Sequence, residues 1–123
     1  MLMSGSVSPM WFISSSDYAR QVVTSLQSGS IESKDYVVQG PIAYTLDEAA
    51  KVFIENHNGS KLKIAKAPIG LMKLIARVSQ KINYGVNICE ALNQYPEKFE
   101  SANTWKELGE PKITIQEFAK SFK

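Results

Sequence analysis

Short apolar runs alternate with stretches of helical spacing along most of the chain. Residues 10–14 read as a short strand. Ser14-Ser15-Ser16-Asp17 follows, and its side-chain oxygens can take the unpaired N–H groups of a first helical turn. Behind it Ala19, Val22, Val23 and Leu26 stand at i, i+3, i+4 and i+7, the stripe of one buried helix face. Ser28-Gly29-Ser30 ends this helix. Tyr36-Val37-Val38 reads as a second strand, closed by Gly40-Pro41. Thr45-Leu46-Asp47-Glu48 is a capping box, in which the hydroxyl and the carboxylate each satisfy a backbone N–H. The helix it opens carries Leu46, Ala49, Ala50 and Phe53, and Asn58-Gly59 stops it, both residues tolerating the left-handed conformation. Residues 61–66 alternate, with Leu62 and Ile64 opposite lysines, as in a half-exposed edge strand.

Pro68 opens a third predicted helix over 69–81, apolar around most of its circumference, with Lys73, Arg77, Gln80 and Lys81 on one narrow stripe. So wide an apolar arc needs cover on more than one side. A fourth helix begins near Val86 with Ile88, Ala91, Leu92 and Tyr95 on one face. Residues 96–112 are irregular or short-helical. Thr114-Ile115-Gln116-Glu117 is a second capping box, opening a last helix with Phe118, Ala119 and Phe122 inward. The order β-α-β-α-β followed by helices predicts an α/β fold: a small, mainly parallel sheet of about three strands with a C-terminal helical cap. The Ser/Gly/Pro/Met-rich residues 1–9 read as a flexible N-terminal segment, and 10–123 as a single domain.

Four of these segments, in this order, resemble the region that follows the dinucleotide-binding part of extended and atypical short-chain dehydrogenases, including the NmrA-like and epimerase/dehydratase-like groups. They are Phe12-Ile13-Ser14-Ser15-Ser16-Asp17-Tyr18-Ala19; Tyr36-Val37-Val38-Gln39-Gly40-Pro41 with Thr45-Leu46-Asp47-Glu48; the strand and apolar helix from Ile64 to Val78; and Leu108-Gly109-Glu110-Pro111-Lys112-Ile113-Thr114-Ile115-Gln116-Glu117-Phe118. The resemblance covers roughly residues 10–123. It implies the substrate-side part of an NAD(P)-dependent oxidoreductase, epimerase or regulator, without the nucleotide-binding half.

The residues that would do chemistry in such a family are missing. Its nucleotide turn needs closely spaced glycines so that backbone can approach the pyrophosphate. Gly5, Gly29, Gly40, Gly59, Gly70, Gly85 and Gly109 are too far apart for it. The family's Tyr with Lys four residues later is absent from all five tyrosines; Tyr95 has Lys98 three residues on. No catalytic, cofactor-binding or metal-binding residue is therefore assigned, NAD(P) being implied only for a full-length relative. The resemblance sets a substrate pocket between the nucleotide domain and this region. That makes Trp11, Tyr84 and Asn87 substrate-pocket candidates, each with a competing role in closing the core.

Composition narrows the alternatives. The net charge of +2 comes from lysines interspersed with acids, with no basic run for nucleic acid. No stretch approaches a membrane span, and the first residues lack the charged and apolar regions of a secretion signal. A single cysteine, Cys89, allows no internal disulfide and fits a reducing cytoplasm; on its helix flank it reads as a small buried hydrophobe. His57, the one histidine, falls next to a helix stop, where it complements the C-terminal carbonyls. Asp17, Glu48 and Glu117 read as cap residues before catalytic acids. Two rival functions stay open. The wide apolar arc of 69–81 fits a stand-alone homo-oligomeric interaction module. A small-ligand-binding domain without chemistry is the other.

Overall fold

The computed structural model describes residues 2–4, 8–29, 33–59, 62–63 and 65–122. Among the described residues six helices carry the fold: α1 (Ser15–Gln27), α2 (Leu46–Asn56), α3 (Ile69–Ala76), α4 (Gln80–Gln94), α5 (Ala102–Leu108) and α6 (Ile115–Ser121). Four very short strands accompany them. β1 (Leu2–Ser4) pairs in parallel with β4 (Lys66–Pro68), and β2 (Met10–Trp11) pairs antiparallel with β3 (Ala43–Tyr44). The expected three-stranded, mainly parallel sheet is thus corrected to a mostly helical fold with two separate two-stranded pairs.

The reason lies in what residues 36–40 bond to. Among the described residues this stretch pairs with no strand; side chains bond its carbonyls instead. The Val37 carbonyl accepts from the Ser101 hydroxyl (2.6 Å) and the Gln39 carbonyl accepts from the Trp105 indole N–H (3.2 Å). The Gly40 N–H donates to the Trp11 carbonyl at 3.2 Å. Gln39, 1% exposed, donates through Nε2 to Glu97 Oε1 (2.8 Å) and to the Lys98 carbonyl (2.7 Å). Its Oε1 accepts from the N–H groups of Glu100 (2.7 Å) and Ser101 (3.1 Å). A β-carbon on Gly40 would stand 1.7 Å from the Phe12 carbonyl oxygen, so only glycine allows the two backbones to meet there.

Three of the helix starts follow the sequence. Ser14 caps α1, accepting from the Asp17 N–H at 3.0 Å, and both predicted capping boxes form, Thr45 with Glu48 and Thr114 with Glu117. The stops differ in detail. Gly29, at φ +65°, follows the α1 cap residue Ser28, while Ser30 lies outside the described residues. α2 ends at Asn56 with His57 extended, and Gly59 has no positive φ. Gly59 matters for space instead, since a β-carbon there would fall 2.4 Å from His57 Nε2. Of the predicted edge strand, Lys61 and Ile64 lie outside the described residues; residues 66–68 form β4.

The helix expected over 69–81 is two. α3 stops at Ala76, and Ser79, in extended conformation, precedes α4, which starts at Gln80 rather than near Val86. The break lets α3 fold onto α4, burying Met72, Val86 and Ala67 with Ala76 and Ile82 against them. The cover that the wide apolar arc requires is thus supplied in part by α4. Cys89 is buried, as its flank position implies. Ile88 and Tyr95, expected inside, are exposed. The largest reversal is on α1. Its apolar stripe faces solvent, with Leu26 79% exposed, while Asp17 and Gln21 are buried.

Candidate functional site

Two cavities border the start of the inverted α1. Asp17 is held at the third position of the helix, buried, where its carboxylate reaches across the fold. Oδ2 accepts from the backbone N–H of Lys112 (3.0 Å) and Ile113 (2.8 Å) and from the Ser14 hydroxyl (3.1 Å), and Oδ1 pairs with Arg20 Nη2 at 2.8 Å. Burial pushes this carboxyl upward, but Arg20, the two backbone N–H groups and Ser14 outweigh it and leave the group below the ordinary aspartate range. Arg20 also donates to the Glu110 carbonyl (2.8 Å), and Gln21 Nε2 to the Gly109 carbonyl (2.7 Å). Residues 109–113 are therefore stapled to α1 by three side chains within about one helical turn of each other, those of Asp17, Arg20 and Gln21. Asp17, expected as a cap residue, does more than cap: Ser14 caps the helix, and Asp17 anchors the segment that leads into α6.

Between the anchored segments lies a cavity of about 370 Å³. Phe12 and Ile13 line it from the β2–α1 connection, Ala49 and Phe53 from α2, and Ile113, Ile115 and Phe118 from the entry and first turn of α6. Ser14, Ser15 and Thr114 are its polar lining residues, and no ionisable side chain borders it. A second recess of about 410 Å³ shares Ser14, Ile113 and Phe118 with the first and adds Lys112, Glu117, Ser16 and Ser121. Behind the apolar wall, Phe53 stacks on His57 (ring centroids 5.5 Å) and meets Phe122 edge-on at 5.8 Å. His57 thus belongs to the aromatic wall at the end of α2, and its Nδ1 is buried with no hydrogen-bond partner.

The three residues singled out as pocket candidates are not brought together here. Trp11, half-buried in β2, packs against Phe99 at 6.0 Å and donates its backbone N–H to Glu97 Oε2 (3.0 Å). Tyr84, 71% exposed, and Asn87, exposed, stand on α4. None of the three lines either cavity. The cavity's own residues went unnoticed because Phe12, Ile13, Ile113 and Ile115 look like ordinary strand and helix-entry hydrophobes. The available signal was that segments 12–19 and 108–118 each place an isoleucine directly before a helix-cap residue, Ile13 before Ser14 and Ile113 before Thr114.

The described glycines do not make a pyrophosphate cradle: Gly40 is pressed against Phe12, and Gly29 and Gly109, the two with positive φ, follow helix ends. Among the described residues no group of three or more His, Cys, Asp or Glu is placed to hold a metal ion. An exposed cluster elsewhere joins Lys34 to Glu107 (2.6 Å) and Glu107 to the Tyr36 hydroxyl (3.1 Å). Lys34 and Tyr36 hold the Glu107 carboxyl below its usual range. No helix among the described residues is long and apolar enough to cross a membrane. No family model and no solved structure matches the chain.

Proposed function

We propose that this chain supplies the substrate-holding side of an NAD(P)-dependent oxidoreductase, epimerase or NmrA-like regulator, in a reducing cytoplasm, with no chemistry of its own. The observation that carries the reading is the cavity at the start of α1. Two of the segments that resemble the family, about a hundred residues apart in sequence, meet through Asp17 and, with α2, line an apolar space at the small end of ligand-pocket volumes. The nucleotide would be held outside this chain.

Titration with NADH or NADPH should leave nicotinamide fluorescence unchanged. The neutral fluorophore 2-naphthol should change its emission, and Ala49→Leu or Ile113→Trp, which fill the cavity, should suppress that change. Nucleotide bound by the chain alone, or a naphthol response indifferent to both substitutions, would refute the proposal.

The second reading, a homo-oligomeric interaction module, is favoured by the outer face of α3. Leu71 and Leu74 are exposed there, and Val78 just beyond it is 89% exposed, beyond what α4 covers. Sedimentation equilibrium separates it from a monomer: self-association abolished by Leu74→Glu supports it, and a monomer at high concentration overturns it.

A further inference from the structure

We infer that the cavity at the start of α1 takes a small, neutral, largely apolar molecule with one carbonyl or hydroxyl oxygen, and discriminates against carboxylates and phosphates of the same size. This rests on the reading of the cavity as a ligand site and adds the chemical class of the ligand.

Size comes first. A space of about 370 Å³ holds roughly a dozen non-hydrogen atoms, taking ~30 Å³ as the liquid volume of one water-sized group. Charge comes next. Seven of the ten lining residues are Phe, Ile or Ala, and none of the ten ionises. An ion entering such a space loses its hydration and must find donors in return.

The protein's own carboxylates have already taken the donors of this corner. Asp17 holds the N–H groups of Lys112 and Ile113 and the Ser14 hydroxyl. Glu117 holds the N–H of Thr114 (2.8 Å) and its hydroxyl (3.0 Å). An incoming anion would therefore find lining residues already bonded to two negative groups just outside the cavity, with Arg20 bound to Asp17 and Lys112 sharing the neighbouring recess with Glu117. Of the three lining hydroxyls, Ser14 and Thr114 serve as helix caps. The Ser15 hydroxyl is the one that neither cap uses, and it can donate to a ligand oxygen at the rim.

The test compares acetophenone with benzoate, near-equal in size and shape, on the full chain at neutral pH, followed by the NMR signals of isoleucine methyl groups. Acetophenone should shift Ile13, Ile113 and Ile115 saturably and bind at least about tenfold more tightly than benzoate. Ser15→Ala should weaken acetophenone about threefold to tenfold and leave ethylbenzene unchanged. Benzoate binding as tightly as acetophenone would overturn the ligand class while leaving the cavity a site. Binding of none of the three probes would remove the site itself. The acetophenone–benzoate comparison and the binding of the three probes both use the unsubstituted chain, so neither depends on a variant folding.

Discussion

Replacing Gln39 by alanine tests how the helical body is held together without a sheet. The side chain is 1% exposed and makes four hydrogen bonds of 2.7–3.1 Å to residues 97–101. Ser101 is fully buried, so removing the Gln39 oxygen strands its N–H away from water. A stranded buried donor costs about 1–3 kcal/mol. Glu97, Lys98 and Glu100 are exposed and can exchange the lost bonds for water, at a smaller net cost. The sum is about 2–4 kcal/mol, a large share of the ~5–15 kcal/mol typical of a domain. Urea unfolding followed by tryptophan emission should show a lower midpoint with an unchanged slope, and Tm should fall by roughly 10 °C. Gln39→Glu keeps the acceptor but sets a carboxylate against Glu97 Oε1 and the Lys98 carbonyl. It should be at least as damaging at neutral pH and partly relieved by acid. A Gln39→Ala stability within about 0.5 kcal/mol of the parent would mean that these four bonds do not hold residues 97–101 in place.

Asp17 links stability to pH. Its folded-state pKa lies below the unfolded value of about 3.9, so its contribution is complete above that value and is lost as pH falls through the folded pKa. Acid titration of Asp17→Asn should lack that step, and its stability at neutral pH should be lower. Gly40→Ala should cost more than about 2 kcal/mol in chemical denaturation, since its β-carbon has no space beside Phe12. Thr114→Ala removes one half of a capping box and should cost about 1 kcal/mol, with amide exchange rising first in α6.

Local chemistry was legible in the sequence, and long-range polar bonding was not. Ser14, Thr45 and Thr114 open helices where their side chains say they should, because a cap needs only residues within one turn. The Ala19, Val22, Val23, Leu26 stripe misled, because periodicity reads apolarity and ignores what a polar residue can bond to. Asp17 and Gln21 face inward because Lys112, Ile113 and Gly109 offer them backbone partners some ninety residues away. The Tyr36-Val37-Val38 strand failed for a related reason: Ser101 and Trp105 side chains occupy carbonyls that a neighbouring strand would have used. The helix over 69–81 broke at 77–79 with no Pro or Gly there to announce it. Packing of Met72 on Val86 accompanies the break. The cavity inherits these failures, since its walls come from segments joined only by such distant bonds.

A ligand of this protein should sit in the space at the start of α1. Intermolecular NOEs from saturating acetophenone to the isoleucine methyl groups test it most directly. NOEs are expected to Ile13, Ile113 and Ile115, which line that space. NOEs confined to Ile75 on α3 or Ile88 on α4 would contradict it and move the site to the exposed α3–α4 surface.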